Sequence, residues 1–110
     1  MKVTKAGQGK PYEAPLHYNC WGAQYVTPGD GSKSLIMNVS HFLPNGGAEM
    51  SSGDLERAYY VLEGSIRVRG KAEDYVLDSG DSIFIASGEE REITVVGQDP
   101  AKLLVVLAKA

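Results

Sequence analysis

Short runs of alternating apolar and polar residues recur along the chain. Residues 21–26, 35–43, 57–62, 65–69, 74–77, 82–86, 91–96 and 102–108 read as strands. Between most of them stand turn formers such as Pro28-Gly29-Asp30-Gly31, Pro44-Asn45-Gly46-Gly47, Glu63-Gly64 and Ser79-Gly80-Asp81. Each supplies a residue that tolerates positive φ or one that fixes it. No window carries a sustained, capped apolar stripe at the helical period, so no helix of any length is predicted. Strands at this spacing imply an all-β antiparallel sandwich or barrel.

Alternation also assigns faces. In 91–96 it places Arg91 on the same side as Ile93 and Val95, with Glu92 and Thr94 opposite. In 57–62 both faces are apolar enough to be buried, so the direction of Arg57 stays open. Residues 1–16, with Pro11 and Pro15, form an extended arm that either packs on its own barrel or pairs with a neighbouring subunit; residues 17–110 form the barrel. The arm and the apolar final run "KLLVVLA" both read as sheet-edge material, which invites association.

Composition narrows the function classes. A chain of 110 residues with 43% hydrophobic content suits one domain with one core. The net charge of -3, with scattered Lys and Arg, offers no footprint for nucleic acid. Cys20 is the single cysteine, which rules out an intrachain disulfide and suits a reducing compartment. The polar amino terminus does not read as a signal peptide, and the longest apolar run, 103–108, falls far short of the ~20 residues that span a bilayer. A cytoplasmic protein with no membrane contact is expected.

Two stretches carry a family resemblance. "GGAEMSSGDLERAYYVLEG" ends on Gly64, and "GDSIFIASGEEREITV" places Gly80 and Gly88 at a fixed spacing. Their order and glycines resemble the two motifs of the cupin superfamily, whose members are small jelly-roll β-barrels, commonly homodimeric. The family's first motif would put paired histidines at Ser51 and Gly53, or at Met50 and Ser52, and a glutamate at Arg57. The second would put a proline at Ala86, a histidine at Arg91 and an asparagine at Val95. The resemblance therefore implies a jelly-roll barrel with a degenerate metal site, in which two of four ligand positions have become Arg57 and Arg91.

Two guanidinium groups aimed at one interior point, about 5–6 Å apart, repel by roughly 3 kcal/mol at an effective dielectric near 20. They need an anion. The chain offers Glu49, Asp54, Glu56, Glu89, Glu90 and Glu92 nearby in sequence; a ligand offers a carboxylate or phosphate, which the planar fork grips with two hydrogen bonds. The expected site binds a small anionic metabolite through Arg57, Arg91, Tyr59 and Glu49, with Tyr59 and His41 as the groups for proton transfer and no metal cofactor. Isomerisation, elimination or hydrolysis would follow. A non-catalytic sensor and a divalent-metal enzyme using His41, Glu49, Asp54 and Glu56 are the alternatives. His17, Cys20 and Trp21 are assigned to structure.

Overall fold

The computed structural model describes residues 1–109 as nine strands and one short 3-10 turn. The strands are β1 (Lys10–Tyr12), β2 (His17–Val26), β3 (Leu35–Ser51), β4 (Leu55–Glu63), β5 (Ser65–Arg69), β6 (Asp74–Asp78), β7 (Ser82–Ile85), β8 (Arg91–Val95) and β9 (Ala101–Lys109). Every pairing is antiparallel, and the strands curl into a nearly closed jelly-roll barrel. Ala110, the last residue of the expected barrel, lies outside the described residues.

β3 organises this arrangement because the two ends of its length pair with different strands of the one continuous sheet. Its first half, from Leu35 to Phe42, pairs with β9, and β9 and β4 lead on to β7. Its last residues, Gly47, Ala48 and Ser51, pair with β8, which leads to β5 and β6. Between the halves the chain bends, with Asn45 at φ 68°. The Pro44-Asn45-Gly46-Gly47 stretch, expected as a turn between strands, is thus a corner inside one long strand. β2 bends beside it, with a register break between Tyr18 and Cys20 and Asn19 at φ 47°.

Inside the barrel, alternation holds as the sequence implies. Phe42, Val61, Ile66, Ile93 and Leu103 are almost completely buried and form the centre of the core. β1 pairs with β2 of its own chain, so part of the arm packs on its own barrel, the first of the two placements left open for it. One expectation needs correction. The apolar run in β9 is a central strand between β3 and β4 and not an edge. Its inward residues Leu103 and Val105 are buried, and its outward residues Leu104 and Val106 are partly covered, which is why the run is apolar on both faces.

Candidate functional site

One end of the barrel interior holds a cavity of about 320 Å³, at the lower end of the range for small-molecule pockets. Its walls come from strands on opposite sides of the barrel and from the arm. Ile36, Asn38, Ser40 and Phe42 face it from β3, Arg57 and Tyr59 from β4, Arg91 and Ile93 from β8. Residues 14–17 close one side, where Leu16 adopts a left-handed conformation at φ 60°. A non-glycine residue held there costs energy, and such residues cluster at ligand sites.

The two arginines meet in this cavity, as the motif positions imply. Alternation settles Arg57: Tyr59 and Val61 on the same face of β4 are buried, so Arg57 points inward. Its guanidinium lies over Gly53, where a Cβ would stand 2.5 Å from Nη2. The absence of a side chain at Gly53 is what leaves room for the fork. Arg91 is only 7% exposed. Its Nε donates to Tyr59 Oη at 3.1 Å, and its Nη1 donates to Ser51 O at 2.8 Å and Ser51 Oγ at 2.9 Å. The Nη2 edge retains its two N–H groups, and the Tyr59 hydroxyl, already an acceptor, keeps its proton to donate.

Neither guanidinium has a carboxylate within ion-pairing distance among the described residues. The nearby acids are engaged elsewhere: Glu92 with Arg69 at 2.7 Å, Glu90 with Lys71 at 4.0 Å, and Glu89 accepting the Ala86 N–H at 3.0 Å. A buried arginine without an anion is costly.

Two residues expected in the site are not there. His41 lies on the outer face of β3, because Ser40 and Phe42 take the inner one. Its ring stacks on Trp21 with centroids 3.8 Å apart and planes 3° from parallel. Glu49 is exposed and does not line the cavity. The alternative ligand set of His41, Glu49, Asp54 and Glu56 does not converge either. Glu56 stands opposite Ala108, which stands opposite Leu35, six residues and therefore ~20 Å along β3 from His41.

His17, assigned to structure from sequence, belongs to the cavity instead. Without a bulge His17 and Cys20 would face opposite sides of β2; the register break at Asn19 brings both inward. His17 stacks on Phe42 at 6.0 Å, and its Nδ1 donates to the Pro15 carbonyl at 2.8 Å. Nε2 is then the basic nitrogen. Burial, and then the positive charges of Arg91 and Arg57, hold its pKa below the ordinary histidine value, against the opposing effect of the Pro15 bond. Cys20 does fit a structural role: it packs against the core, and burial pushes its thiol up to about 11.

The folded state resists protonation of His17 while the unfolded chain accepts it, so stability falls as pH drops through about 6.5 and below. Tm is expected to decline between about pH 7.5 and 5.5, and His17→Gln to flatten the slope. His41, shifted the same way by burial and Lys102, supplies a remainder that His41→Gln removes. Asp30 and Asp74, held low by their bonds to Lys2 and Arg67, add losses only at lower pH. An unchanged slope in His17→Gln contradicts the assignment.

The donor set does not fit a divalent metal. One imidazole, hydroxyls and the two amides of Gln24 and Asn38 share the lining with two cations, and no carboxylate lines the cavity among the described residues.

Fold and site together define a jelly-roll barrel with a small, positively charged interior pocket. The chain belongs to the cupin superfamily: the Cupin domain model matches residues 38–107. It is 32% identical over 109 residues to the β-D-galactosidase Rv1717 of Mycobacterium tuberculosis, covering 98% of this chain and 94% of that one. The polyketide cyclase RemF of Streptomyces resistomycificus superposes with a TM-score of 0.86 at 22% identity, covering 100% of this chain and 80% of that chain. A predicted oxalate decarboxylase of Thermotoga maritima superposes with a TM-score of 0.82 at 18% identity, covering 100% of both chains. At those identities the two structures speak for the fold alone. No helix among the described residues is long and apolar enough to cross a membrane.

Proposed function

We propose that the barrel binds a small carboxylate-bearing metabolite between Arg57 and Arg91, without a metal. The observation that carries this is a buried guanidinium, Arg91, held in place by Tyr59 and Ser51 and facing a cavity with no carboxylate partner for it among the described residues. An anion would neutralise the pair and accept the free Nη2 edge, and the apolar walls of Phe42, Ile93 and Leu103 would hold its carbon skeleton.

Proton transfer then falls to His17 Nε2 as base and the Tyr59 hydroxyl as acid. With a carboxylate anchored and charge developing beside two guanidiniums, isomerisation, elimination or hydrolysis is the chemistry this set supports. Binding without turnover is the sensor alternative. We take the protein to be a cytoplasmic homodimer, packed through the outer sheet face where Trp21, Leu43, Tyr60 and Phe84 are exposed.

A second reading, glycoside hydrolysis, is favoured by the identity to a protein named a galactosidase. The usual pair of carboxylates for that reaction is absent from the lining among the described residues. A panel of small acids screened by thermal shift, with proton NMR to follow conversion, separates the readings. Carboxylates are expected to raise Tm in the native protein and not in Arg57→Leu. Release of nitrophenol from a nitrophenyl galactoside, with no response to any acid, would overturn the proposal in favour of the second reading.

A further inference from the structure

A single carboxylate does not balance the charge inside the cavity. Arg57 and Arg91 bring two positive charges to its wall, and no carboxylate lines it among the described residues. His17 adds no third charge near neutral pH, because burial and then the two guanidiniums hold its pKa below the ordinary value. A guest with one negative charge would leave one cation uncompensated beside apolar Ile93 and Leu107. A dianion neutralises the pair.

The two cations are also anchored at different points. Arg91 is tied to the carbonyl and hydroxyl of Ser51 and to the Tyr59 hydroxyl. Arg57 enters from the next inward position of β4, ~7 Å along the strand from Tyr59, and its guanidinium lies over Gly53. Their grips differ too. With Nε and Nη1 engaged, Arg91 offers Nη2. Arg57 donates to no acceptor among the described residues, so its whole fork is open. Two grips at two anchor points suit two carboxylates on one skeleton, whereas a phosphate would gather both charges on a single group. Val105 and Leu107, which stand opposite Tyr59 and Arg57 on β9, give that skeleton an apolar floor.

Resting on the carboxylate reading above, we propose that the substrate class is a short dicarboxylic acid, with one carboxylate on the Arg57 fork and the other on Arg91 Nη2.

The test titrates succinate, glutarate and adipate calorimetrically into the full chain, each beside its monoamide, which keeps the shape and loses one charge. Benzoate and methyl phosphate complete the set. At about pH 7.5 both carboxylates are ionised and His17 is neutral. The native protein is expected to bind the best of the three diacids at least about 10-fold more tightly than its monoamide. In Arg57→Leu the diacid should weaken more than the monoamide, so that the gap closes; a residue that only shaped the pocket would weaken both alike. Equal binding of each diacid and its monoamide by the native protein overturns this inference alone. An undiminished gap in a folded Arg57→Leu protein overturns the assignment of one carboxylate to each arginine. Tighter binding of methyl phosphate than of any diacid overturns the inference too, and so does binding of benzoate with none of the diacids. Binding of nothing in the set overturns the carboxylate reading along with it. Because the native protein carries the main comparison, the test survives a variant that fails to fold.

Discussion

Arg91→Met is expected to weaken carboxylate binding by about 10- to 100-fold, measured by calorimetry. A charge-assisted hydrogen bond is worth about 1.5–3 kcal/mol, and with Nε and Nη1 of Arg91 already engaged, Nη2 offers one N–H to a carboxylate. Methionine fills similar space and supplies neither charge nor donor. The substitution also strands the Ser51 carbonyl and hydroxyl and the Tyr59 oxygen that Arg91 now serves. Leaving such buried groups unpaired costs about 1–3 kcal/mol of stability. Arg91→Lys separates the two effects: it keeps the charge and loses the fork, so binding should fall to an intermediate value. Unaltered carboxylate affinity in a folded Arg91→Met protein would remove this residue from the site.

The second large effect concerns the corner of β3. Gly47→Ala is expected to destabilise the protein by about 3 kcal/mol, the upper part of the range for overpacked positions, with a lowered denaturation midpoint. A Cβ at Gly47 would run into the backbone carbonyl of Ile93 and stand 2.7 Å from Tyr18 Oη. The carbonyl cannot swing aside, because it lies on β8, paired with β3 on one side and β5 on the other. A Cβ at Gly46 would be as confined, 2.5 Å from Asn19 O and 2.8 Å from Leu43 O. Gly88 makes the contrast: a Cβ there meets nothing within 4 Å, so Gly88→Ala should cost only the strain of its positive φ. Equal stabilities for the two alanine variants would contradict this account of the corner.

Much of the barrel was legible because strand alternation is local. The side chosen for Arg91 follows from its neighbours Ile93 and Val95, and the glycines of the hairpin at Gly64 mark a turn that any chain of this pattern would need. β9 was misplaced for the opposite reason. A run apolar on both faces says that it is covered, and coverage by β3 and β4 is a fact of tertiary pairing that periodicity does not encode.

The site was half legible. Arg57 and Arg91 could be placed by motif spacing, and Tyr59 by sharing a strand face with Arg57. His41 lies outside because Ser40 and Phe42 take the inner face of β3, and His17 turns into the cavity because of a bulge in β2. Alternation read straight through "HYNC" cannot anticipate that Asn19 turns to positive φ and resets the face. An asparagine between two strand-forming stretches, facing a Pro-Asn-Gly-Gly corner on the partner strand, was the available hint.

Everything proposed for function rests on a cationic pocket that wants an anion. The most direct measurement is a calorimetric comparison of benzoate with benzamide, its uncharged near-isostere, in the native protein. Benzoate is expected to bind at least about 10-fold more tightly. Equal affinity for the two, or binding of the amide alone, would contradict a site built by Arg57 and Arg91 for a carboxylate.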